Sequence, residues 1–345
     1  MRTRYVSKML CFFVVALFTM GVVLAQSIEE KKAQYDAKVK ELKEVSVAMG
    51  AAGISADEYN KLKEQYDTLQ TEIAALKEQL SADQEYTKKM NDAKLAYNDG
   101  NTLYKQGQFE QAVASYDKSL SLDDNNSRAY YGKGLALVKL RRYDDAIVAY
   151  GKAVDIDPTY YAAFAAMGKS YYNQRNYSQA IEAYLKAVEI EPTRETNIYM
   201  LATCYSRNKD FKNAIKYYTM ATQVNPDYFK AFNSLGVAYM SDGQVENAIQ
   251  AFEMAIAIKE DYDEAYYRKA AALNKIGRYQ EAFDVAQSCL KVTRKFKGAA
   301  NFEAGVAAKK LGRVDEAKKY FEAAATDRQW RKSAEYELDL ISRGL

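Results

Sequence analysis

The chain contains three prolines, Pro158, Pro192 and Pro226, and each lies 34 residues beyond the one before. A spacing of that length kept twice in succession marks a small supersecondary unit repeated along the chain. Written in register from Ala93, six units follow without a gap: 93–126, 127–160, 161–194, 195–228, 229–262 and 263–296, with a seventh at 298–331 after one extra residue. The eighth position of the units reads Gly100, Gly134, Gly168, Ala202, Gly236, Ala270 and Gly305, and the twentieth reads Ala112, Ala146, Ala180, Ala214, Ala248, Ala282 and Ala317. Two segments that are small at fixed places are expected to approach closely there, and overpacking either should cost about 1 to 3 kcal/mol.

Larger apolar side chains surround these slots. Position four holds Tyr130, Phe164, Ile198, Phe232 and Tyr266, and position twenty-four holds Tyr116, Tyr150, Tyr184, Tyr218, Phe252 and Phe321. Positions 20, 24 and 27 are i, i+4 and i+7, so Ala146, Tyr150 and Ala153 share one face of a helix, as do Ala180, Tyr184 and Ala187. Each proline follows a run such as Ile156-Asp157 or Ile190-Glu191, where its ring and missing N–H stop the helix. Polar joints such as Lys105-Gln106-Gly107-Gln108 and Ser241-Asp242-Gly243-Gln244 divide each unit in two. The pattern therefore predicts antiparallel helix pairs, and with only three prolines and 16 glycines the chain is expected to be all-α.

Period, small slots, aromatic slots and prolines together resemble the tetratricopeptide repeat family. The resemblance implies a solenoid of about seven helix pairs in a right-handed superhelix, each pair covering the apolar face of the next. Departures are mild: Asp124, Glu260 and Arg294 stand where the closing proline belongs, and Ala286 stands at an aromatic slot. Residues 332–345 are expected to form a capping helix, with Ala334, Leu338 and Ile341 on one side and Glu337 and Arg343 on the other.

The first 25 residues have the form of a cleavable signal peptide. Basic Arg2, Arg4 and Lys8 precede an apolar stretch from Met9 to Leu24, and small residues in Val23-Leu24-Ala25 place cleavage before Gln26. The apolar run falls short of the roughly 20 residues that span a bilayer, so no stable membrane insertion is expected after cleavage. Cys11 lies inside the apolar region, which is a poor position for lipidation. The mature chain is thus expected to be exported, with the periplasm as its destination. Removing the three leader cations from the 49 basic residues leaves 46 against 46 acidic ones, a balance that argues against nucleic acid as a partner. Cys204 and Cys289 lie two units apart at slots where Ala, Ser or Thr otherwise stand, and read as small buried thiols.

Between leader and repeats, residues 26–92 form a helical hairpin or a coiled coil. Tyr59, Leu62, Tyr66, Leu69, Ile73, Leu76 and Leu80 step by three and four, a heptad seam of about 33 Å at ~1.5 Å per residue. Ser55-Ala56-Asp57-Glu58 has the form of a capping box, so a helix is expected to begin near 55, after the joint Gly50-Ala51-Ala52-Gly53. An earlier helix, from about 27 to 49, would carry Ile28, Tyr35, Val39, Leu42 and Met49. The pattern suits either an intramolecular hairpin or self-association through residues 55–92. The greater length of the second helix favours self-association.

Histidine is absent, which removes the commonest general acid/base and the commonest metal ligand. No phosphate-cradling glycine loop, zinc ligand set or nucleophile elbow is present, so no catalytic, metal or cofactor site is expected. In the repeat family, first-helix positions 2, 5, 9, 12 and 13 line a concave groove that holds extended peptides. Carried onto this chain, they give Tyr97, Asn101, Tyr104, Tyr131, Lys139, Lys169, Tyr172, Asn173, Tyr199, Arg207, Asn233, Tyr267, Asn274 and Lys275. Tyrosine offers flat apolar area and a hydroxyl at little entropic cost, and asparagine bonds both donor and acceptor of a peptide. Most of the 30 tyrosines have core roles instead.

The basic clamp by which some relatives hold a chaperone's terminal carboxylate is not reproduced, because Tyr97 and Gly132 occupy two of its places. The order of leader, heptad helix and repeats is similar to that of the CpoB family of periplasmic cell-division coordinators, which implies an envelope adaptor with protein partners. The expected function is a non-enzymatic scaffold binding partner segments in its groove during envelope assembly or division. The alternative is a carbohydrate or peptidoglycan binder, since tyrosine faces also stack on sugars.

Overall fold

The computed structural model describes residues 28–51, 53–81, 84–293 and 295–344. The leader expected over residues 1–25 lies outside them, as does Arg294 at the end of the sixth repeat. Among the described residues there are 17 α-helices and no strand. They fall into two compact units: one comprises the described residues up to Ala136 together with Asp155–Pro158, the other Leu137–Val154 and everything from Thr159 onward.

The first unit contains α1 (Ile28–Met49), α2 (Ala56–Ser81), α3 (Gln84–Lys105), α4 (Phe109–Leu122) and most of α5 (Ser127–Lys139). The capping box forms: the Ser55 backbone N–H donates to a Glu58 carboxylate oxygen at 3.3 Å, and the Glu58 N–H donates to Ser55 Oγ at 3.2 Å. Those bonds satisfy two of the free donors at the start of α2; the Ser55 hydroxyl, donating to the Glu58 carboxylate at 2.9 Å, and then the Ser55 N–H hold that carboxyl below its usual range. Helices α1 and α2 pack on one another within the chain, joined by Lys38 and Glu72 at 2.5 Å. Leu69, Leu76 and Leu80 of the heptad seam are buried, and Leu62, Tyr66 and Ile73 half-buried, between exposed neighbours. Opposite them, Val45 is buried and Tyr35, Val39, Leu42 and Met49 are half-buried. The seam is therefore occupied largely by the unit's own hairpin, leaving Tyr59, beside the connecting loop, 42 % exposed.

The first repeat was expected to open at Ala93, but its first helix is the end of α3, which starts at Gln84. With α4 it encloses Tyr116, 1 % exposed, in a core with Ala112, Leu120, Ala129 and Ala136. The ring lies between two glycines: a Cβ on Gly100 of α3 or on Gly132 of α5 would each come within 2.7 Å of it.

The second unit runs from α6 (Tyr143–Ile156) through the pairs α7 (Tyr161–Asn173) and α8 (Tyr177–Ile190), α9 (Glu195–Arg207) and α10 (Phe211–Val224), and α11 (Phe229–Ser241) and α12 (Val245–Ile258). It continues with α13 (Asp263–Lys275) and α14 (Tyr279–Val292), then α15 (Lys297–Lys310) and α16 (Val314–Ala325), and closes on α17 (Arg331–Ser342). In the four pairs from α7 to α14 the first helix is 13 residues and the second 14, each starting at the same place in its repeat. The prolines sit two residues beyond α6, α8 and α10.

Every alanine at position twenty is fully buried, and the rings of Tyr150, Tyr184, Tyr218, Phe252 and Phe321 are at most 3 % exposed. A Cβ added at Gly168 would lie 2.7 Å from Tyr184, one at Gly236 2.5 Å from Phe252, and one at Gly305 2.7 Å from Phe321. Repeat six lacks the ring, and there Phe283 joins Ala286 in the same core cluster. The joint between paired helices turns through a left-handed residue at position fifteen: Gly243 at φ 82°, Gly277 at 80° and Gly312 at 76°. Arg141, Arg175 and Lys209 hold the same conformation at 61–62° in spite of their side chains, a cost of about 1 kcal/mol each that the surrounding fold offsets.

The expected cap is α17, with Ala334 and Ile341 buried, Leu338 against the core, and Glu337 paired with Lys309 at 3.0 Å. Cys204 and Cys289 are buried and free, and burial pushes both thiols up to about 12.

Two glycines separate close packing from helix propensity. Gly236→Ala is expected to destabilise the protein by about 1–3 kcal/mol because the new methyl meets Phe252. Gly151→Ala, where a Cβ meets nothing within 4 Å, is expected to stabilise by about 0.5–1 kcal/mol. Urea melts of the two variants against the parent check both signs.

Candidate functional site

The second unit brings the groove positions into a regular arrangement. In three successive repeats the residue at position five meets the residue at position thirty-four, where the chain enters the next first helix. Tyr199 packs on Tyr228 with ring centroids 5.1 Å apart, Asn233 Nδ2 donates to the Tyr262 hydroxyl at 3.3 Å, and Tyr267 packs on Phe296 at 4.9 Å. The result is a ladder of three rungs, each joining one first helix to the N-cap residue of the next.

Hydrogen bonds fix the ladder from behind. The Tyr199 hydroxyl lies 3.2 Å from Ser234 Oγ, and Tyr218 beneath it reaches Thr203 Oγ1 at 3.0 Å. Tyr262 donates to Glu264 at 3.0 Å, and Glu264 in turn holds Arg268 at 2.8 Å, with the guanidinium 5.3 Å above the Tyr267 ring. Burial, then the neighbouring Glu264 carboxylate, raises the Tyr262 phenol. Its proton is therefore retained for donation.

Of the other residues singled out by register, Tyr172 packs on Tyr177 at 5.7 Å and hydrogen-bonds Arg207, which raises that guanidinium. Lys139, Lys169, Asn173, Arg207 and Lys275 are exposed. In the first unit, Tyr97 leans on Tyr116 at 6.0 Å, Asn101 Oδ1 accepts from the Tyr116 hydroxyl at 2.8 Å, Tyr104 sits edge-on to Phe109 at 5.5 Å, and Tyr131 is half-buried. Asn101 thus spends its carbonyl on the repeat's own core tyrosine.

The residues drawn from register left out Tyr228, Tyr262, Phe296 and Arg268, and also Glu264, although it stands at groove position two. A signal for three of them was present: Tyr160, Tyr228, Tyr262 and Phe296 recur at position thirty-four. That place follows the helix stop and reads as loop, so its aromatics carry no helical periodicity.

Three buried polar atoms on first helices of this unit have no partner among the described residues: Asn197 Nδ2, Asn233 Oδ1 and Asn274 Oδ1. An unpaired buried amide atom costs about 1–3 kcal/mol. Asn274 Nδ2 donates to the Glu303 backbone carbonyl at 3.0 Å and to its Oε2 at 2.8 Å. Glu303 is 8 % exposed and has no cation partner among the described residues, and burial pushes its carboxyl up to about 7 against the opposing pull of that hydrogen bond. Among the described residues no three His, Cys, Asp or Glu side chains cluster as metal ligands, and no helix is long and apolar enough to cross a membrane.

Comparison with known proteins agrees with this architecture. Models of the tetratricopeptide repeat match residues 97–161 and 199–263, 137–203, and 263–296 with 299–326, together more than half of the chain. The chain therefore belongs to the tetratricopeptide repeat family, whose members are generally non-enzymatic protein-binding scaffolds. No curated protein matched it. Among solved structures, the C-terminal part of a tetratricopeptide repeat protein from Cytophaga hutchinsonii is similar over 69 % of this chain and 97 % of its own, at 19 % identity and a TM-score of 0.59. YrrB, a tetratricopeptide protein with an unusual peptide-binding site, is 26 % identical over 54 % of this chain and 94 % of its own, with a TM-score of 0.48. The MamA protein is 24 % identical over 49 % and 93 %, with a TM-score of 0.47.

The buried carboxyl yields a stability prediction. Folding raises the Glu303 value from an ordinary 4.5 to about 7, so the folded state holds the proton more tightly than the unfolded chain. The protonated group's advantage is complete below the unfolded value and is lost as pH rises through about 7, a loss of about 3 kcal/mol. Glu303→Gln is therefore expected to exceed the parent in stability at pH 8 and to lose that advantage near pH 4, as read by urea melts at both values.

Proposed function

We propose that this protein is an exported scaffold that binds extended segments of partner proteins along the ladder of its second unit, in assembly or division of the cell envelope. The observation that carries the reading is the regular ladder of rungs on successive first helices. Tyr199 with Tyr228 and Tyr267 with Phe296 offer apolar faces to side chains. Between them, Asn233 Nδ2 donates to the Tyr262 hydroxyl. Flat rings at a fixed spacing suit recognition of an extended segment with loosely specified side chains.

Export rests on the basic, apolar and small-residue succession of residues 1–25. The envelope role rests on that leader and on the order of leader, helical hairpin and repeats, which is similar to that of the CpoB family. Absence of histidine and of any metal-ligand cluster among the described residues is consistent with a scaffold.

Capture from envelope extract tests the reading. Immobilised mature protein is expected to retain specific partners whose binding falls about tenfold in Tyr199→Ala/Asn233→Ala, the loss of two interface contacts of ordinary strength. Retention of the same partners by that variant, with its melting curve unchanged, would remove the ladder from the account. Glycan fragments that protect the ladder tyrosines from chemical modification, where no peptide or protein does, would favour the carbohydrate reading instead.

A further inference from the structure

A glutamate inside a helix ordinarily stands in water, yet Glu303 of α15 is buried. Its side chain meets α13, the first helix of the preceding repeat, where Asn274 Nδ2 donates both to the Glu303 backbone carbonyl and to its Oε2. These bonds join two first helices directly. The rung of Tyr267 on Phe296 joins the same two helices about two turns earlier along α15. On the other side of the carboxyl, Phe302 packs on Trp330, the N-cap residue of α17, with ring centroids 4.9 Å apart.

The other atom of the same amide, Asn274 Oδ1, is buried and has no partner among the described residues. An ionised carboxylate offers it only lone pairs. A protonated carboxyl carries a donor beside an acceptor, as an amide does, so the two forks can close a ring of two hydrogen bonds: Nδ2–H on Oε2, and the acid O–H on Oδ1. Protonation thus satisfies the buried carboxyl and the buried carbonyl together. Ionisation leaves a buried charge next to an unpaired acceptor.

The charged groups around Glu303 are engaged elsewhere or face solvent. On α13, Arg268 is held by Glu264, Lys269 by Glu253, Asp263 accepts from Thr293, and Lys275 is exposed. On α15 itself Lys309 pairs with Glu337 of α17, and Lys297 and Lys310 are exposed. Glu281, Asp284 and Lys291 of α14 are exposed, as are Asp315, Lys318, Lys319 and Glu322 of α16, while Glu316 lies 3.9 Å from Arg313. The Tyr267 phenol of α13 does feel Glu303, but burial foremost raises it, so it keeps its proton where a carboxyl titrates.

We propose that Glu303 and Asn274 form a proton-operated latch between the first helices of repeats six and seven, closed while the carboxyl carries its proton and released when that proton passes to water. Burial pushes the carboxyl from an ordinary 4.5 up to about 7. The closed state is therefore fully favoured below the ordinary value and loses its advantage as pH rises through about 7. Release loosens α13 against α15, and with them the C-terminal end of the ladder, while the earlier repeats keep their packing. The latch is a property of helix packing and holds whether or not the ladder is the surface that binds partners.

Amide hydrogen exchange, corrected for the pH dependence of intrinsic exchange, tests the latch together with emission from Trp330, the chain's one tryptophan. Protection of α13 and α15 is expected to fall about tenfold between pH 6 and pH 8.5, while α9 and α10 keep theirs. Trp330 emission is expected to change over the same range with a midpoint near 7. Glu303→Gln, whose carboxamide has the donor and acceptor of the protonated acid, should abolish both changes and hold the low-pH values. Asn274→Ala should lower protection at pH 6 toward the parent's level at pH 8.5, with circular dichroism showing both variants folded. Protection of α13 and α15 that does not depend on pH in the parent overturns the proposal. So does an equal fall across the whole second unit, which would mean a change in global stability alone, or an unaltered transition in Glu303→Gln, which would assign the titration to another group.

Discussion

An aromatic ring pressed against a small residue of the facing first helix is the contact on which most of the repeats depend. Tyr116, Tyr184, Phe252 and Phe321 each lie where a Cβ on the facing first helix would come within 2.5–2.7 Å. Glycine at that place, or alanine in repeats four and six, lets the two helices of a pair close until the alanine at position twenty is fully buried. A pair so closed is only two helices thick and cannot hide its remaining apolar face. The next pair must do so, which is why α17 with Ala334 and Ile341 is needed at the end.

This packing also sets the chemistry of the groove. The tyrosines at position twenty-four reach through the first-helix layer, so Tyr116 bonds Asn101 and Tyr218 bonds Thr203. Asn101 and Thr203, both at position nine, are thereby committed to the core tyrosines. Position five remains available, and it meets the aromatic at position thirty-four because that residue caps the following first helix. The ladder is thus a by-product of period and helix length, and it inherits the regularity of both.

The paired helices, the helix stops at the prolines and the capping box at Ser55 were legible because each rests on local chemistry read at fixed spacing. Less was legible where contacts join distant residues. The heptad seam of α2 specifies an apolar partner without saying which, and the structure supplies α1 from the same chain through Lys38, Val45 and their neighbours. The start of α3 at Gln84 was hidden because its first turns precede the repeat register. The burial of Glu303 beside Asn274 had no sequence signal, since a glutamate in a helix ordinarily reads as solvated surface.

Mutual cover between neighbouring pairs is the central claim, and amide hydrogen exchange on a chain ending before α17 tests it most directly. With the cap removed, α15 and α16 should exchange about tenfold faster or more, and α9 to α12 should keep their protection, because each pair depends on its immediate neighbours. Unchanged protection of α15 and α16 would contradict the claim. So would equal loss across the whole second unit, which would indicate a single undivided core.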